Sequence, residues 1–344
     1  MSNPADTLVL VTGVTGFIGS HIAVELLRQG YQVRGTMRKL SRSESIKEVI
    51  GKSVGTELLS FAQAELTQPE SWDAAMEGVD YVLHIASPLP RANPKDDQEL
   101  IVPARDGALN VLKAAERHNV KRMVMTSSAA AVAYGHEEKS RLFTEKDWTN
   151  PKDLKDTTAY IRSKMLAEKA AWDALEVSQS KLEFVTILPT LVLGPLLEED
   201  YGTSSLLVKK MFDGDFPAAP KLGFGIVDVR DVADLHIRAM TSPDAPGQRF
   251  LADSGFRWAI EVAKYLRGAY PTYKKKFPTF EVPNIFVRLM ALFDQETRMV
   301  LTELGVKREY DHTKAKEVLG WTPRLPEEAI KATADSILAL GISK

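Results

Sequence analysis

The sequence predicts an α/β protein with a doubly wound parallel sheet and a smaller C-terminal domain. Three observations predict this fold class. Short β-rich runs alternate with helical patterns from residue 7 to about 127, a glycine-rich turn follows the first run, and Gly- and Pro-rich stretches break the rhythm beyond residue 190. Nearly continuous apolar strands that are each followed by a helix are typical of a parallel sheet covered on both faces.

The elements follow one another in a regular order. The predicted strands are TLVLVT, YQVRGTM, ELLSFAQA, VDYVLHIA, VKRMVMTS and, over 182–189, LEFVTILP. The predicted helices are HIAVELLRQG, a segment around 43–53, PESWDAAMEG, PARDGALNVLKAAERHN and the segment that begins with AYIRSK at 159–164. Further along, VDVRDVADLHIRAMTS (227–242) predicts a helix preceded by an acidic turn, and RFLAD then returns a strand to the first domain.

The chain of 344 residues is long enough for one large and one small domain. We expect residues 1–190 to form a dinucleotide-binding domain, which residues 227–251 rejoin, and residues 191–226 and 252–344 to form a smaller substrate-binding cap. Aromatic residues at spacings suited to a small core of the cap are Trp258, Tyr265, Phe277, Phe286 and Phe293. The Met-rich segment RLMALFDQETRMV is expected in the same core.

The composition excludes several classes of function. Hydrophobic residues make up 44% and charged residues 26% of the chain, and a formal net charge of -2 predicts no nucleic acid partner. The absence of cysteine excludes disulfides and a thiolate nucleophile, and the six histidines show no HxxxH pair, so we expect no metal. The start MSNPADTLVLVTG lacks a basic segment followed by a long apolar one, and no apolar run of about 18 residues occurs. We therefore expect a cytoplasmic protein without a membrane partner.

The stretch VTGVTGFIGS places Gly13, Gly16 and Gly19 directly after the first strand and before a helix. In such a loop the first glycine allows a tight turn, the second lets the backbone approach a pyrophosphate, and the third permits close packing of helix and strand. The N-terminus of the following helix offers free N–H groups to phosphate. In this context the pattern predicts dinucleotide binding on a Rossmann fold, whereas three glycines alone would indicate only a tight turn.

The end of the second strand indicates which dinucleotide is bound. Sites for NAD place an acid there for the ribose hydroxyls, whereas a 2′-phosphate requires basic side chains. Here Met37 stands where the acid would be, and Arg38 and Lys39 follow it. Because arginine can bind a phosphate through two parallel hydrogen bonds, we expect NADP. The alternative is that both basic residues belong to an ordinary solvated loop.

Tyr160 and Lys164 in AYIRSK lie four positions apart on a predicted helix. At this spacing two side chains share one face, so a lysine charge could lower the pKa of the phenol and make it a better proton donor. The same spacing also occurs on ordinary solvated helix faces. The pair is therefore a candidate site whose support comes from the rest of the chain.

Six motifs in this order make the chain similar to a known family. They are GxxGxxG, the basic end of the second strand, AELT after the third, HIASP after the fourth, TSSAAAV after the fifth and YxxxK on the next helix. The chain resembles the extended short-chain dehydrogenases/reductases over residues 6–340, and specifically their dihydroflavonol reductase and cinnamoyl-CoA reductase branch with its microbial aldehyde and ketone reductases.

The resemblance implies a catalytic triad of Ser128, Tyr160 and Lys164. In this family the serine and tyrosine bind the substrate carbonyl oxygen, the tyrosine donates a proton, and the lysine binds the nicotinamide ribose and keeps the tyrosine acidic. Implied cofactor contacts besides the glycines and basic residues are Thr12, Phe17, Ile18, Glu65, Leu66, Ala86, Ser87, Pro88, Ser127, Pro189 and Thr190. The alternative for these positions is plain packing at strand ends. At Glu65 an Asp is commoner in the family, and at Ala104 many members have Asn.

The resemblance also implies a carbonyl substrate. Weak candidates for its pocket are Leu89, Ala129, Tyr134, Leu191 and Phe224, all of which are largely apolar. An apolar pocket suits an aldehyde or ketone better than a sugar diphosphate, which would require arginines. We therefore expect NADPH-dependent reduction of a carbonyl by a monomer or homodimer. Two alternatives remain, a nucleotide-sugar epimerase or dehydratase on the same fold and a non-catalytic NADP-sensing regulator.

Overall fold

A computed structural model of the chain describes residues 3–88, 94, 96–199, 203–293, 297–298 and 300–343. The strands within these ranges are β1 (Leu8–Thr12), β2 (Gln32–Met37), β3 (Leu59–Gln63), β4 (Tyr81–His84), β5 (Arg122–Thr126), β6 (Leu142–Phe143), β7 (Glu183–Pro189), β8 (Leu191–Leu193), β9 (Ala219–Pro220), β10 (Gly223–Asp228), β11 (Arg249–Ala252), β12 (Phe256–Trp258), β13 (Glu281–Val282) and β14 (Glu309–Tyr310). The α-helices are α1 (Phe17–Arg28), α2 (Ser43–Gly51), α3 (Ser71–Met76), α4 (Gln98–Arg117), α5 (Ala159–Ser178), α6 (Leu206–Asp213), α7 (Val229–Thr241), α8 (Ala259–Ala269), α9 (Asn284–Met290), α10 (Thr313–Leu319) and α11 (Pro326–Ala339).

Seven strands form one parallel sheet in the order β11-β7-β5-β4-β1-β2-β3. The strand order runs outward from β1 in both directions, so the winding of the chain reverses between β1 and β4. Ligands of open α/β sheets lie beyond the carboxyl ends of the strands at this reversal. The doubly wound Rossmann fold that the sequence predicts is therefore confirmed, and its topology indicates where a ligand binds.

The central strands are apolar on both faces because helices cover both faces of the sheet. In β1, Val9 and Val11 belong to the apolar cluster on one face, and Leu10 belongs to the cluster on the other. All three side chains have no exposed surface. The period of two along a strand thus divides one continuous apolar run between two helical layers.

Each helical layer packs against the sheet through an apolar helix face. Leu26 of α1 and Leu235 of α7 contribute to the first layer, and Val111 of α4 and Ala171 of α5 contribute to the second. Pairs of helices from the same layer, α1 with α7 and α4 with α5, also contact each other. No helix in the described ranges combines the length and the apolar composition that crossing a membrane requires.

Two helices of these layers begin where side chains cap them. Asp228 accepts a hydrogen bond from the Arg230 N–H at the start of α7, which confirms the helix that was predicted after an acidic turn. Thr158 accepts one from the Ile161 N–H at the start of α5. A capped first turn holds its residues in a fixed orientation. For α5 this first turn contains the candidate Tyr160.

The C-terminal half builds a third apolar cluster beside the main sheet. Strands β8, β10 and β12 form a small sheet, and Phe212 of α6, Leu266 of α8 and Ile330 of α11 are buried with it. Phe277, expected in the core of the cap, is 2% exposed in this cluster. The division into residues 1–190 with 227–251 and a cap made of the remainder stays a prediction.

The prediction of a core position is wrong for two of the five aromatic residues. Phe286 is 55% and Phe293 is 91% exposed, and most apolar side chains of the Met-rich segment that the structure describes are also exposed. Helix α9 instead buries Val287, which packs with Leu222 and Leu304. The apolar residues of this segment lie all around the helix, so the sequence pattern does not determine which face packs inward.

Candidate active site

The glycine loop forms a cradle between β1 and α1. Gly13 has φ +67°, a conformation that favours glycine, and a Cβ there would lie 3.1 Å from the Cα of Ala86. A Cβ on Gly19 would lie 2.4 Å from the Gly13 carbonyl oxygen, so the start of α1 packs directly on the loop. Gly16 is the N-cap and provides no side-chain cap. The backbone at this helix N-terminus is therefore available to an anion such as a pyrophosphate.

The Thr12 hydroxyl holds the two strand ends of the cradle together. Its Oγ1 accepts hydrogen bonds from the N–H groups of Ile85 (2.9 Å) and Ala86 (3.0 Å) and lies 2.8 Å from Nδ1 of His84. Because Oγ1 already accepts two bonds, its own hydrogen goes to Nδ1, and His84 is a neutral imidazole. The pKa of His84 is lowered to about 3, mainly by burial and to a smaller extent by the charge of Lys164. The position of Thr12 beside the pyrophosphate stays a prediction, and its hydroxyl is bonded within the protein.

The basic residues after β2 are free to bind a ligand. Met37 is buried, whereas Arg38 and Lys39 are exposed and make no ion pair with a residue that the structure describes. The neighbouring Arg42 is engaged, since its Nη2 lies 3.9 Å from a carboxylate oxygen of Glu198. Two unpaired cations at the end of β2 fit the 2′-phosphate predicted there.

The predicted adenine contacts Glu65 and Leu66 follow β3. The Glu65 carboxylate accepts a hydrogen bond from the N–H of Leu66 at 3.2 Å, and both residues are half-buried. Asn110 of α4 donates from Nδ2 to the Leu66 carbonyl oxygen at 2.8 Å. Asn110 had no predicted role, and a bond between residues 44 positions apart is not visible in a local sequence pattern. It fixes the backbone of this loop.

The predicted catalytic residues lie together at the start of α5. The Ser128 hydroxyl lies close enough to the Tyr160 phenol to lower its pKa. The Ser128 Oγ accepts from the N–H of Ala130 at 3.1 Å, which fixes its orientation. Lys164 is 9% exposed, and its Nζ lies 5.9 Å from the centre of the Tyr160 ring. A hydroxyl, a phenol and an ammonium therefore share one small volume.

Burial disfavours the charged form of both Tyr160 and Lys164. It raises the pKa of Tyr160 above its ordinary value, and only the neighbouring Ser128 hydroxyl acts in the opposite direction. Burial lowers the pKa of Lys164 to about 8. The predicted lowering of the Tyr160 pKa by Lys164 is therefore wrong for this structure. The physical reason is that the phenolate would lose its hydration in the buried site, and this loss is the largest influence on its pKa.

Ser127 and Ser128 differ in their surroundings. Ser127 is 3% exposed, and its hydroxyl donates to Oε2 of the buried Glu168 at 2.6 Å. The side chain of Ser127, a predicted cofactor contact, is therefore directed into the protein.

On the other side of the site, Thr190 donates from its hydroxyl to Asp253 at 2.9 Å, and burial raises the pKa of Asp253 to about 7.

The remaining predicted contacts follow the strand ends. Pro189 ends β7 opposite Ala252 of β11, and Ala86, Ser87 and Pro88 follow β4 and are half-buried. Together with the glycine loop after β1 and Ser128 after β5, they surround the carboxyl edge of the main sheet. This is the edge at which the topology places a ligand.

The predicted substrate residues do not form one cluster. Ala129 and Tyr134 belong to an apolar group beneath α5, Leu191 packs with the cluster of the cap, and Phe224 packs beside α9. The Tyr134 ring lies 4.2 Å from the guanidinium carbon of Arg308. Leu89 lies outside the described residues. Within the described part of the chain, no group of three or more His, Asp or Glu side chains is placed to hold a metal ion.

Comparisons with known proteins identify the family. Residues 9–251 match the model of the NAD dependent epimerase/dehydratase family. A cinnamoyl-CoA reductase from Medicago truncatula is 34% identical over 275 residues, which are 79% of this chain and 83% of that protein. A dihydroflavonol 4-reductase from Gerbera hybrida is 32% identical over 304 residues, which are 86% of this chain and 82% of that protein.

Solved structures agree over almost the whole length. Yeast methylglyoxal/isovaleraldehyde reductase Gre2 complexed with NADPH is 27% identical with a TM-score of 0.81, over 98% of this chain and 100% of that one. Gre2 from Candida albicans in complex with NADPH is 29% identical with a TM-score of 0.79, over 97% of this chain and 99% of that one. The chain belongs to the NAD dependent epimerase/dehydratase family, among the extended short-chain dehydrogenases/reductases, and is similar there to reductases.

Proposed function

We propose that this protein reduces an aldehyde or ketone to an alcohol with NADPH. The observation that supports this most directly is the grouping of Ser128, Tyr160 and the buried Lys164 in one small volume. This arrangement lies at the carboxyl edge of the sheet, next to the cradle formed by Gly13 and Gly19. A phenol and a hydroxyl that converge on one point can both bind a carbonyl oxygen.

The residues present fit NADPH. The backbone of the cradle and the N-terminus of α1 would hold the pyrophosphate, and the lack of a side chain at Gly19 lets α1 begin directly on the loop. Arg38 and Lys39 would bind the 2′-phosphate, and Lys164 the hydroxyls of the nicotinamide ribose. When bound, the dinucleotide supplies the hydride for the reduction.

In the proposed mechanism Ser128 and Tyr160 orient and polarise the substrate. Both hydroxyls donate hydrogen bonds to the carbonyl oxygen, which holds the carbonyl carbon in place. Because burial raises the pKa of Tyr160, the phenol keeps its proton at neutral pH until the oxygen of the substrate becomes an alkoxide. An alkoxide is far more basic than a phenolate, so it takes the phenolic proton. The ammonium of Lys164 stabilises the phenolate left behind.

The choice of a first substrate rests on the similar proteins. Ala129, Tyr134, Leu191 and Phe224 lie in three separate apolar clusters, so they do not by themselves define a substrate pocket. The names of the similar reductases include methylglyoxal and isovaleraldehyde for the yeast protein and cinnamoyl-CoA for the Medicago one. A small aldehyde is therefore the first substrate to test.

Two other functions are disfavoured by specific residues. A nucleotide-sugar epimerase typically holds NAD with an acid at the end of the second strand, where this chain has Met37 followed by the unpaired Arg38. A sensor of NADP has no need for a proton donor, yet Ser128, Tyr160 and Lys164 lie together. Neither alternative accounts for all of these residues.

The proposed function is tested by following NADPH absorbance with a panel of aldehydes and ketones. We expect turnover by the wild type and a loss of roughly 100- to 10,000-fold in Tyr160→Phe, the range typical of a general acid. NADPH binding, measured by fluorescence titration, should change little in the same variant. Turnover by Tyr160→Phe near the wild-type rate would refute the role of the phenol.

A further inference from the structure

Glu168 is a buried carboxylate that joins four elements behind the candidate site. It has no exposed surface. Its Oε2 accepts from the Ser127 hydroxyl at 2.6 Å and from Nη2 of Arg249 at 3.3 Å. Its Oε1 accepts from Thr186 at 2.8 Å, from Nε of Arg249 at 2.8 Å and from Trp172 at 3.3 Å. Five hydrogen bonds thus connect α5, β7, β11 and the residue that follows β5.

Arg249 neutralises this carboxylate and is itself firmly held. Its Nη1 donates to the carbonyl oxygens of Glu145 at 2.5 Å and Asp147 at 3.0 Å. Its guanidinium carbon lies 3.6 Å from the centre of the Trp148 ring. A buried ion pair retains a fixed geometry when its remaining donors are also bonded, as they are here. The carboxylate therefore provides a rigid point of attachment.

The Glu168 carboxylate holds Ser127, the residue next to the candidate catalytic Ser128. Neighbouring side chains of an extended chain point to opposite sides, and Ser128 is extended, with φ −164° and ψ 152°. Holding the Ser127 hydroxyl against Glu168 therefore directs the Ser128 hydroxyl the other way, toward Tyr160. Glu168 also follows Lys164 by four residues and Tyr160 by eight, so all three lie on one face of α5.

We propose that Glu168 is a positioning residue for carbonyl reduction, which sets the distance between Ser128 and the Tyr160 face of α5 through its hydrogen bond to Ser127. This inference rests on the proposed function. Its distinguishing feature is that the two carboxylate oxygens have different effects. Oε2 accepts the bond from Ser127, next to Ser128, whereas the bond of Oε1 to Thr186 joins α5 to β7.

The test compares Glu168→Gln and Ser127→Ala with the matched control Thr186→Val, which removes a buried hydrogen bond from the same carboxylate. In both test variants we expect kcat to fall about 10- to 100-fold, as small misplacements of reacting groups do. The Kd of NADPH should stay within about twofold, because the cradle and the basic residues are intact. With deuterated NADPH the isotope effect on kcat should rise, since hydride transfer becomes the slow step. Thr186→Val should lower the Tm and keep the wild-type kcat.

A second arm distinguishes a specific effect on the position of Ser128 from a general destabilisation of the fold. Combining Glu168→Gln with Ser127→Ala should lower kcat hardly more than either change alone, because both break the same connection. Wild-type kcat in Ser127→Ala, or an equal loss in Thr186→Val, overturns the inference.

A third arm is independent of turnover. In crystal structures of both proteins, the Ser128 and Tyr160 hydroxyls should lie farther apart in Glu168→Gln than in the wild type. An unchanged pair of hydroxyls overturns the positioning role while leaving the proposed function intact. If instead the wild type reduces no carbonyl compound of the panel, the proposed function fails, and the role of Glu168 in it fails with it.

Discussion

Tyr160 and Lys164 retain their hydrogens through different ranges of pH. Burial raises the pKa of the phenol above its ordinary value, so the phenol of the folded protein stays protonated at neutral pH. Burial lowers the pKa of the ammonium to about 8, so Lys164 loses its charge first as pH rises. The lysine therefore sets the upper pH limit of a site that needs both a protonated phenol and a charged amine.

The first prediction is a pH dependence of the reduction rate. We expect kcat/KM to be nearly constant from pH 6 to about 7 and to fall as pH rises through about 8, because Lys164 is protonated below its pKa and neutral above it. His84 is not the source of this change, since its pKa is about 3. Initial rates in buffers of constant ionic strength measure the profile. A rate that stays constant up to pH 10 would contradict this account.

The second prediction concerns the cofactor preference. In Arg38→Ala we expect the KM for NADPH to rise about 10- to 100-fold, which corresponds to the loss of a charge-assisted hydrogen bond. The KM for NADH should change little, because NADH lacks the 2′-phosphate. Arg28→Ala is the matched control, since Arg28 is also exposed but lies at the far end of α1. An equal effect of Arg38→Ala on both cofactors would argue against this contact.

At the scale of elements, the N-terminus of α1 illustrates how a helix becomes part of a binding site. The helix begins directly on the glycine loop, because Gly19 lies against the Gly13 carbonyl. A side chain at this position has to push the first turn of α1 away from β1. The free N–H groups would then no longer point at the phosphate position.

The third prediction uses this contact. Gly19→Ala should weaken NADPH binding by at least about tenfold, because its Cβ would lie 2.4 Å from the Gly13 oxygen. Gly268→Ala in α8 is the control, since a Cβ there meets nothing within 4 Å. That change should leave binding unchanged and raise the unfolding free energy by up to about 1 kcal/mol, the helix propensity difference of Ala over Gly. Fluorescence titration and denaturant unfolding measure the two effects.

The elements that were predictable from the sequence are those encoded locally. The apolar run of β1, the glycine loop and the start of α5 each depend on a few neighbouring residues, and all three appear where expected. Helix α4 begins at Gln98, before the predicted start at Pro103. Because proline is favoured in the first turn of a helix, the sequence indicates that the helix starts at Pro103. In the structure Pro103 lies inside the helix.

The parts that were not predictable depend on contacts between distant residues. Arg249 is 81 positions from Glu168, and Thr12 is 72 from His84. No periodicity or motif spacing reports such a pair, because each member looks like an ordinary polar residue in its own segment. The three catalytic candidates were predictable in position, since a motif marks them, but the direction of the Tyr160 pKa depends on burial, which only the folded chain has.

At the scale of the whole molecule, the main sheet requires a segment from the second half of the chain. Strand β11 (Arg249–Ala252) pairs with β7, and between these two strands the chain forms β8, α6, β9, β10 and α7. We propose that the dinucleotide-binding domain consists of residues 1–190 and 227–251. The first of these segments is then incomplete without the second.

The fourth prediction follows from this. A fragment of residues 1–200 should lack a cooperative thermal transition, because Glu168 would be buried without Arg249 and β7 would have an unpaired edge. A fragment of residues 1–258 restores both features and should melt more cooperatively. Near-UV circular dichroism during heating distinguishes the two. A sharp transition in the shorter fragment would show that the strand and the arginine are dispensable.

The position of Arg249 also has a consequence for protein synthesis. The chain leaves the ribosome from its N-terminus, so the acid emerges 81 residues before its base. During that interval the nascent chain already contains Ser128, Tyr160 and Lys164, but it lacks Arg249, which balances the charge of Glu168. Maturation of the site is therefore timed by translation of the last strand of the sheet.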